Sequence, residues 1–361
     1  MQTKNLRIAD FSPLVTPRQL EDELPATPAM ERLVQSTRDG VSAILHGRDH
    51  KRLVVVVGPC SIHDPKAALA YAERLQGVAD RTRDHLLIVM RTYFEKPRTV
   101  VGWKGLVSDP HLDGSCDIPK GLALARKILL DINAIGLPCA TEFLDTVVPH
   151  YLADLVAWAA IGARTTESQV HRQMASGLSM PVGFKNSTDG SLQNAINAVL
   201  SARHAHAFLG INADGLSSVV RTTGNQDCHI VLRGGASGPN YHHADVATAA
   251  AAAAEVGLDR GVMVDCSHGN SNKDHTHQGA VLGEVARNFA AGQRTLLGVM
   301  IESNLRPGKQ TWMQGAPLEY GVSITDGCVG WDETERLLMD AAGMLARGET
   351  PALPARATAV H

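Results

Sequence analysis

The feature that most constrains the fold is an eightfold alternation of short apolar runs with longer amphipathic stretches. Each run has four to seven residues, and most of the amphipathic stretches end at a glycine. Continuous apolar strands that are each followed by a helix indicate a parallel sheet covered on both faces. The predicted strands are residues 53–57, 86–90, 137–141, 156–162, 181–184, 229–232, 261–266 and 296–301.

Eight such units predict an α/β protein with a (β/α)₈ TIM barrel. The alternative is an open doubly wound sheet, but no GxGxxG motif follows the first apolar run. Residues 1–45, which contain two proline joints, are predicted to form an amino-terminal extension. Residues 46–348 would form the barrel, with an inserted β-hairpin near 205–223, and residues 349–361 a carboxy-terminal tail.

Composition and charge exclude several classes of protein. The 361 residues carry a formal charge of −3, which gives no overall attraction to nucleic acid or to an anionic membrane. No apolar run approaches the roughly 18 residues of a membrane helix. The amino terminus lacks the apolar core of a signal peptide, and six single cysteines form no CxxC pair. A cytoplasmic location with neither nucleic acid nor membrane as partner is therefore expected.

Ionisable side chains recur where the predicted strands end. In a barrel of this kind the carboxyl ends of the strands carry the chemistry, so these side chains should meet on one rim. A purely structural role would favour small residues and turn formers at most of these places. The eight strand ends supply Cys60, Arg91, Glu142, Arg164, Lys185, Arg233, His268 and Glu302.

Four of these side chains are cations, and Lys96 stands just beyond one of them. Cations that face inward repel one another unless an anion lies between them. Guanidinium groups bind phosphate and carboxylate through paired hydrogen bonds, so the predicted ligand carries one or both of these groups. The alternative for the basic stretch 91–104 is a solvated loop.

Cys60, His268 and Glu302 form a second group, with Asp326 of the ITDG stretch as a fourth member. One thiolate, one imidazole and two carboxylates suit a divalent transition metal such as Mn, Fe, Co or Zn, whereas a thiolate argues against Mg. Each residue also has a structural alternative, with Cys60 as a small core residue and His268 as a hydrogen-bonded cap.

Many segments together resemble the class I, microbial-type 3-deoxy-D-arabino-heptulosonate 7-phosphate (DAHP) synthases. The resemblance covers roughly residues 5–345 and rests on GPCSIHD, RTYFEKPRT, GWKGL, DPHLDGS, ATEFLD, GARTTESQVHR, PVGFKN, LRGG, DCSHGNS, VMIESNL and SITDGC. It implies a (β/α)₈ barrel with an amino-terminal extension and an added hairpin. It also implies that phosphoenolpyruvate condenses with erythrose 4-phosphate and water, with release of phosphate, as the first step of the shikimate pathway to aromatic amino acids.

The resemblance assigns a role to each matching residue. The metal ligands would be Cys60, His268, Glu302 and Asp326, with Asp326 also beside the substrates. The turn formed by Lys96, Pro97, Arg98 and Thr99 would hold erythrose 4-phosphate, with Arg98 and Thr99 directed to its phosphate and hydroxyl groups. The phosphoenolpyruvate site would comprise Arg91, Lys96, Arg164, Lys185 and Arg233, with the backbone of Ala163 and Glu142 nearby.

Four residues of this set are predicted to be catalytic. Lys96 and Glu142 would transfer protons, and Cys60 and His268 would act through the metal. Lys96 is the candidate donor to the new alkoxide, although it could serve only as a phosphate contact. Glu142 would position or deprotonate the attacking water. The sequence departs from the expected pattern at Ser187 and at Pro119, and neither departure falls on an assigned residue.

Regulation and assembly are further expectations from the resemblance. Many family members are inhibited by an aromatic amino acid at a remote site built partly by the amino-terminal extension, and Pro149 and Ser179 lie where that cavity would be. A homodimer or homotetramer is expected. The extension could bury a subunit interface, cover the bottom of the barrel, or do both.

Two rival functions remain open. One is 3-deoxy-D-manno-octulosonate 8-phosphate synthase, which performs the same chemistry with arabinose 5-phosphate; the long extension and the KPRT turn favour the four-carbon sugar. The other is a non-catalytic anion-binding paralogue, which would have no physical need for all the cations together with all four metal ligands.

Overall fold

Eight parallel strands form a closed barrel in the computed structural model, which describes residues 3–258 and 261–348. The first strand is hydrogen-bonded both to the second and to the last, so the barrel prediction is confirmed and the open-sheet alternative is wrong. In chain order the barrel strands are β1 (Leu53–Gly58), β2 (Leu86–Arg91), β3 (Cys139–Glu142), β4 (Val156–Ile161), β5 (Val182–Lys185), β8 (Cys228–Leu232), β9 (Val262–Asp265) and β10 (Leu296–Glu302).

The predicted hairpin is also confirmed. Strands β6 (Ala207–Ile211) and β7 (Ser217–Arg221) pair antiparallel outside the barrel, just before its sixth strand. The helices are α1 (Pro17–Glu23), α2 (Pro28–Leu45), α3 (Pro65–Thr82), α4 (Ile118–Ala134), α5 (Pro149–Leu152), α6 (Gln169–Ala175), α7 (Leu192–Ala202), α8 (His243–Glu255), α9 (Gln278–Ala290) and α10 (Trp331–Gly348). The predicted tail, 349–361, lies outside the described residues. Among the helices that the structure describes, none has the length and hydropathy to span a membrane.

The barrel strands are apolar throughout because both of their faces are buried. In β1, Val54 and Val56 pack in the barrel interior, whereas Leu53, Val55 and Val57 pack towards the surrounding helices. Several strands end one residue later than the apolar runs suggest, because a charged residue completes them: Arg91, Lys185 and Glu302. The backbone of these residues belongs to the sheet, while their side chains reach the rim.

The second helix closes the amino-terminal end of the barrel. Its residues Val41, Ile44 and Leu45 join the hydrophobic cluster of the barrel interior. Two arginines anchor the extension: Arg38 donates to the carbonyls of Ala153 and Val156, and the buried Arg126 donates to the carbonyl of Leu24. Of the two roles expected for the extension, covering the bottom of the barrel is therefore observed.

A neutral histidine lies inside the barrel. Trp158 Nε1 donates to His229 Nε2 over 3.2 Å, so the ring proton is on Nδ1, which lies 3.1 Å from the carbonyl of Asp227. Burial lowers the pKa of His229 to about 4, because a charged imidazole has no water to solvate it there.

This histidine should make the stability of the fold depend on pH. The unfolded chain binds a proton near pH 6.5 and the folded chain only near pH 4, so stability is full above about pH 6.5 and falls on acidification through this window. The loss should reach about 3 kcal/mol. Denaturant titrations at pH 7 and pH 4.5 measure it, and in His229→Gln, whose amide oxygen can still accept from Trp158, this part of the pH dependence should disappear. An unchanged pH dependence in the variant would contradict the assignment.

Candidate active site

A cavity of about 460 Å³ opens at the carboxyl ends of the barrel strands, where the sequence predicts the site. All five predicted phosphoenolpyruvate-binding cations line it, together with Glu142, Ala163, His268 and Asp326. Eight lysines and arginines face two carboxylates in this lining, so the cavity favours a ligand with several negative charges. The lining cations are Arg91, Lys96, Arg98, Arg164, Lys185, Arg233, Lys273 and Lys309.

Arg91 is the most deeply placed of the cations. Its side chain is buried at the end of β2, where Nη2 donates to Glu302 Oε1 over 2.9 Å and Nε donates to the carbonyl of Pro59. The guanidinium carbon lies 3.5 Å from the centre of the Tyr93 ring. Nη1 is buried and has no hydrogen-bond partner among the described residues. A buried donor without a partner costs free energy, so Arg91, which lines the cavity, would gain from an anion bound there.

Lys185 ends β5 and is held by an aspartate that the sequence analysis missed. Its Nζ donates to Asp265 Oδ2 over 2.9 Å, and both side chains are almost fully buried. Against the effect of burial, Lys185 and His268 hold the pKa of Asp265 well below its usual value. Asp265 is therefore a carboxylate beneath the cavity floor.

Arg164 and Arg233 extend over the rim and have few protein partners. Arg164 is exposed, and its Nη1 donates only weakly to the carbonyl of Pro97, over 3.3 Å. Arg233 is partly buried, which lowers the pKa of its guanidinium. Both side chains keep most of their donors available for a ligand.

A network of asparagines holds the strand end that carries Arg233, and the sequence analysis missed it. Asn186 Oδ1 accepts from the backbone N–H of Arg233 over 2.7 Å, and Asn240 and Asn270 continue the network to the loop after β9. These loops approach so closely that a Cβ on Gly234 would lie 2.5 Å from the backbone of residue 269. Glycine is required there, because the backbone itself would have to move.

Three of the four predicted metal ligands form one cluster. Single ligand atoms of Cys60, Glu302 and Asp326 lie within 4.8 Å of one another, and Asp326 Oδ2 is 3.6 Å from Cys60 Sγ. The ring of His268 stands beside them, with Nε2 4.0 Å from Glu302 Oε1. Sulfur, nitrogen and carboxylate donors at these separations fit a divalent transition ion. His268 has a φ of 55°, a left-handed backbone conformation that few non-glycine residues adopt.

Burial raises the pKa of the Cys60 thiol to about 11, and the neighbouring Glu302 adds to this effect while Lys96 opposes it. Without a metal the thiol is therefore protonated at neutral pH. Because the thiolate is the form that binds a metal ion, binding must release this proton.

Metal affinity should consequently rise with pH. For the one thiol proton released, the association constant for Mn(II) should increase by about tenfold per pH unit between pH 6 and pH 8. Calorimetry in buffers of different ionisation enthalpy counts the protons directly. Cys60→Ser, whose hydroxyl keeps its proton, should bind more weakly and lose the tenfold slope. The same slope in Cys60→Ser would show that Cys60 is not a ligand.

Both candidate proton-transfer residues, Lys96 and Glu142, line the cavity. Lys96 Nζ is 3.2 Å from Cys60 Sγ, which places this lysine directly against the metal cluster. Although burial opposes its charge, Cys60 and Glu302 hold the pKa of Lys96 above its usual value. Glu142 is buried at the end of β3. Its carboxylate packs against residue 162, where a Cβ would lie 2.3 Å from Glu142 Oε1, so any side chain there would displace the carboxylate.

Glu95, another residue that the sequence analysis missed, fixes the turn after Glu142. Its carboxylate accepts from the backbone N–H groups of Leu144 and Asp145 over 3.2 and 3.0 Å. Burial raises the pKa of Glu95 to about 8 despite these hydrogen bonds. An acidic residue within an otherwise buried stretch could have signalled such a role.

The remaining predicted residues are placed as follows. Pro97 and Arg98 line the cavity, whereas Thr99 is exposed on the same loop and is not part of the lining. Pro149 is buried in α5 and Ser179 is exposed, and neither lines this cavity. Their role in binding an effector stays a prediction.

Comparison with known proteins agrees with this arrangement. The family model of the DAHP synthetase I family matches residues 25–339. The Trp-sensitive phospho-2-dehydro-3-deoxyheptonate aldolase of Enterobacter agglomerans is 54% identical over 337 residues, which cover 93% of this chain and 96% of that protein. The Phe-sensitive enzyme of Escherichia coli K12 is 52% identical over 341 residues, which cover 94% and 97% of the two chains.

A solved structure supports the same conclusion. The phospho-2-dehydro-3-deoxyheptonate aldolase of Francisella tularensis SCHU S4 is 46% identical, covers 94% of this chain and 98% of its own, and superposes with a TM-score of 0.91. With the family model spanning most of the barrel and relatives above 50% identity over nearly the whole length, the chain belongs to the DAHP synthetase I family.

Proposed function

We propose that this protein condenses phosphoenolpyruvate with erythrose 4-phosphate and water to give 3-deoxy-D-arabino-heptulosonate 7-phosphate and phosphate. The observation that carries the proposal is the direct contact between the cationic set and the metal cluster: Arg91 Nη2 lies 2.9 Å from Glu302, and Lys96 Nζ lies 3.2 Å from Cys60 Sγ. An anionic enol ester bound by these cations would lie against a metal site in the same cavity. The names of the relatives support a condensing enzyme of this kind.

The cations would bind and orient phosphoenolpyruvate. Its phosphate and carboxylate together match the five converging side chains Arg91, Lys96, Arg164, Lys185 and Arg233. Guanidinium pairs bind such groups in a fixed plane, which presents the C3 carbon of the enol in one direction. The remaining cations near the rim, Arg98, Lys273 and Lys309, are available to the phosphate of the sugar.

Cys60, His268, Glu302 and Asp326 would hold the divalent metal, whose chemistry when bound is that of a Lewis acid towards the aldehyde. As C3 of phosphoenolpyruvate attacks the aldehyde carbon, the carbonyl oxygen takes the electron pair and needs a proton. Lys96 lies beside the metal ligands with a pKa above its usual value, so it holds a proton at the place where the alkoxide forms. Lys96 is proposed to donate that proton.

Water completes the reaction at C2. The attack leaves cationic character there, and Glu142 is proposed to orient the water that adds and to accept its proton. The phosphohemiketal then collapses: the C2 hydroxyl gives its proton to the departing phosphate, the bond from C2 to the phosphate oxygen breaks with the electron pair going to phosphate, and the C2 ketone forms. Glu142 lines the same cavity as Arg164 and Lys185.

Phosphate release with different aldose phosphates tests the proposal. With phosphoenolpyruvate and Mn(II) present, erythrose 4-phosphate should release phosphate rapidly and arabinose 5-phosphate should not. A preference for arabinose 5-phosphate would favour the octulosonate synthase, and no release with either sugar would favour a non-catalytic paralogue. A chelator should abolish the activity and Mn(II), or Fe, Co or Zn, should restore it; full activity without metal would refute the ligand assignment.

An aromatic amino acid is proposed as the effector. Relatives of this chain are named Trp-, Tyr- and Phe-sensitive, so their names point to the class of effector and not to one member. The proposed site near Pro149 and Ser179 is joined to the extension, because Tyr151 Oη of α5 donates to the carbonyl of Val15 over 2.6 Å. The same assay with each amino acid added identifies the effector, and insensitivity to all three would contradict this proposal. A cytoplasmic homodimer or homotetramer remains the expected form.

A further inference from the structure

We propose that Asp265 is a positioning residue that couples the metal site to the phosphoenolpyruvate site, an inference that rests on the proposed function. Asp265 is the last residue of β9, is 1% exposed, and does not line the cavity. It therefore acts on the substrates only through its neighbours. Those neighbours belong to the two different halves of the site.

A single carboxylate oxygen makes the connection. Asp265 Oδ2 is 2.9 Å from Lys185 Nζ and 3.0 Å from His268 Nδ1. The other oxygen, Oδ1, accepts from the backbone N–H of Ser267 over 3.0 Å, which fixes the carboxylate group in place. Lys185 is a predicted phosphoenolpyruvate contact and His268 is a predicted metal ligand, so one buried anion serves both.

The two contacts on this oxygen are not equivalent. Lys185 forms a hydrogen bond to this oxygen, whereas His268 Nδ1, although only 3.0 Å away, is not aligned for one and has no other hydrogen-bond partner among the described side chains and backbone. A carboxylate oxygen can accept two hydrogen bonds, but the positive charge of the lysine makes this oxygen a weaker acceptor towards the imidazole. When the phosphate of phosphoenolpyruvate attracts Lys185, the oxygen becomes a stronger acceptor for the Nδ1–H of His268.

This hydrogen bond from His268 to Asp265 would improve His268 as a metal ligand. A carboxylate that accepts from Nδ1–H holds the imidazole in the tautomer whose Nε2 lone pair is free, and it makes that nitrogen more basic. Nε2 is the atom that faces Glu302, 4.0 Å away. Phosphoenolpyruvate should then tighten metal binding, and by reciprocity the metal should tighten phosphoenolpyruvate binding by the same factor.

Glu302 also joins the two halves, through Arg91, but it is itself a predicted ligand. Its substitution would remove the metal site and could not reveal coupling. Asp265 differs because it contacts a member of each half without being assigned to either, and Asp265→Asn keeps its shape while removing its charge.

The experiment measures Mn(II) binding to the metal-free enzyme, with and without phosphoenolpyruvate, by the electron paramagnetic resonance signal of free Mn(II). In Asp265→Asn the Mn(II) dissociation constant should rise by roughly 10- to 100-fold, as for other residues that orient a metal ligand. The factor by which phosphoenolpyruvate tightens Mn(II), roughly 5- to 150-fold for typical coupled sites, should fall towards one. Asp109→Asn is the matched control, a buried aspartate whose carboxylate accepts from the backbone of Gly114 and does not line the cavity; both quantities should stay unchanged in it.

A measurement on the unsubstituted protein gives an independent test in case Asp265→Asn does not fold. In metal-free enzyme with ¹⁵N-labelled histidine, phosphoenolpyruvate should shift His268 to the tautomer with its proton on Nδ1; His268→Asn assigns the signal. A proton on Nε2 in this state would overturn the proposal, as would unchanged Mn(II) affinity and coupling in a folded Asp265→Asn. If the wild-type protein binds neither phosphoenolpyruvate nor Mn(II), the proposed function fails instead, so the two failures are distinguishable.

Discussion

Replacing Glu302 with alanine is expected to reduce phosphate release to the background of the assay and to lower the free energy of unfolding by roughly 3–5 kcal/mol. The carboxylate is 1% exposed, accepts from Arg91 Nη2 over 2.9 Å and from Ser267 Oγ over 3.0 Å, and belongs to the metal cluster. Its removal takes away a proposed metal ligand and leaves the Arg91 guanidinium buried without its anion. Both losses act at one residue, which makes this the largest expected effect of a single substitution.

Controls for Glu302 separate stability from activity. Glu319→Ala breaks an exposed ion pair with Arg306 and should change the free energy of unfolding by no more than about 1 kcal/mol. The double variant Arg91→Met with Glu302→Leu replaces the buried pair by apolar side chains, and it should recover much of the stability but none of the activity. Denaturant titration and phosphate release measure the two quantities. Activity in the double variant would refute the roles of both residues.

Replacing Arg164 with alanine should give the opposite combination, a large loss of activity at unchanged stability. The side chain is exposed and makes one long hydrogen bond, so it contributes little to the stability of the fold. If it binds the phosphate of phosphoenolpyruvate, kcat/KM for that substrate should fall by roughly 10²- to 10³-fold. Steady-state kinetics and a thermal melt together test the prediction.

Two further variants sharpen this test. Arg164→Lys keeps the charge but loses the paired donors, so it should recover only part of the activity. Arg287→Ala removes an exposed arginine of α9 that does not line the cavity, and it should leave kcat/KM unchanged. Equal activity in Arg164→Ala and Arg287→Ala would exclude Arg164 from the substrate site.

The barrel and most of the rim could be predicted from the sequence because strand alternation is a strong local signal. A buried parallel strand shows a continuous apolar run, and the residue that ends it is visible in the chain, as with Lys185 after PVGF. The barrel closure then places all such ends together. Contacts between them could not be predicted, because the rotamers that bring Lys96 within 3.2 Å of Cys60 depend on tertiary packing.

Residues that act from beneath the cavity were harder to recognise. Asp265 lies inside the apolar run GVMVDC, which predicts only a strand, although a carboxylate inside a buried strand implies a buried partner. Asn270 likewise supports the site only through backbone groups. Lys273 and Lys309 sit in long loops, and no periodicity specifies where a loop directs its side chains.

The pairing of the first strand with the last has a consequence for how the protein matures during translation. Cys60 follows β1, whereas Glu302 ends β10 and Asp326 comes later still, and the two strands meet through Gly58 and Glu302. A ribosome must therefore synthesise the chain beyond residue 326 before these donors can converge. A nascent chain that ends before residue 302 offers at most the thiol of Cys60 and the imidazole of His268, so the proposed metal ion can be captured only after both carboxylates have been made.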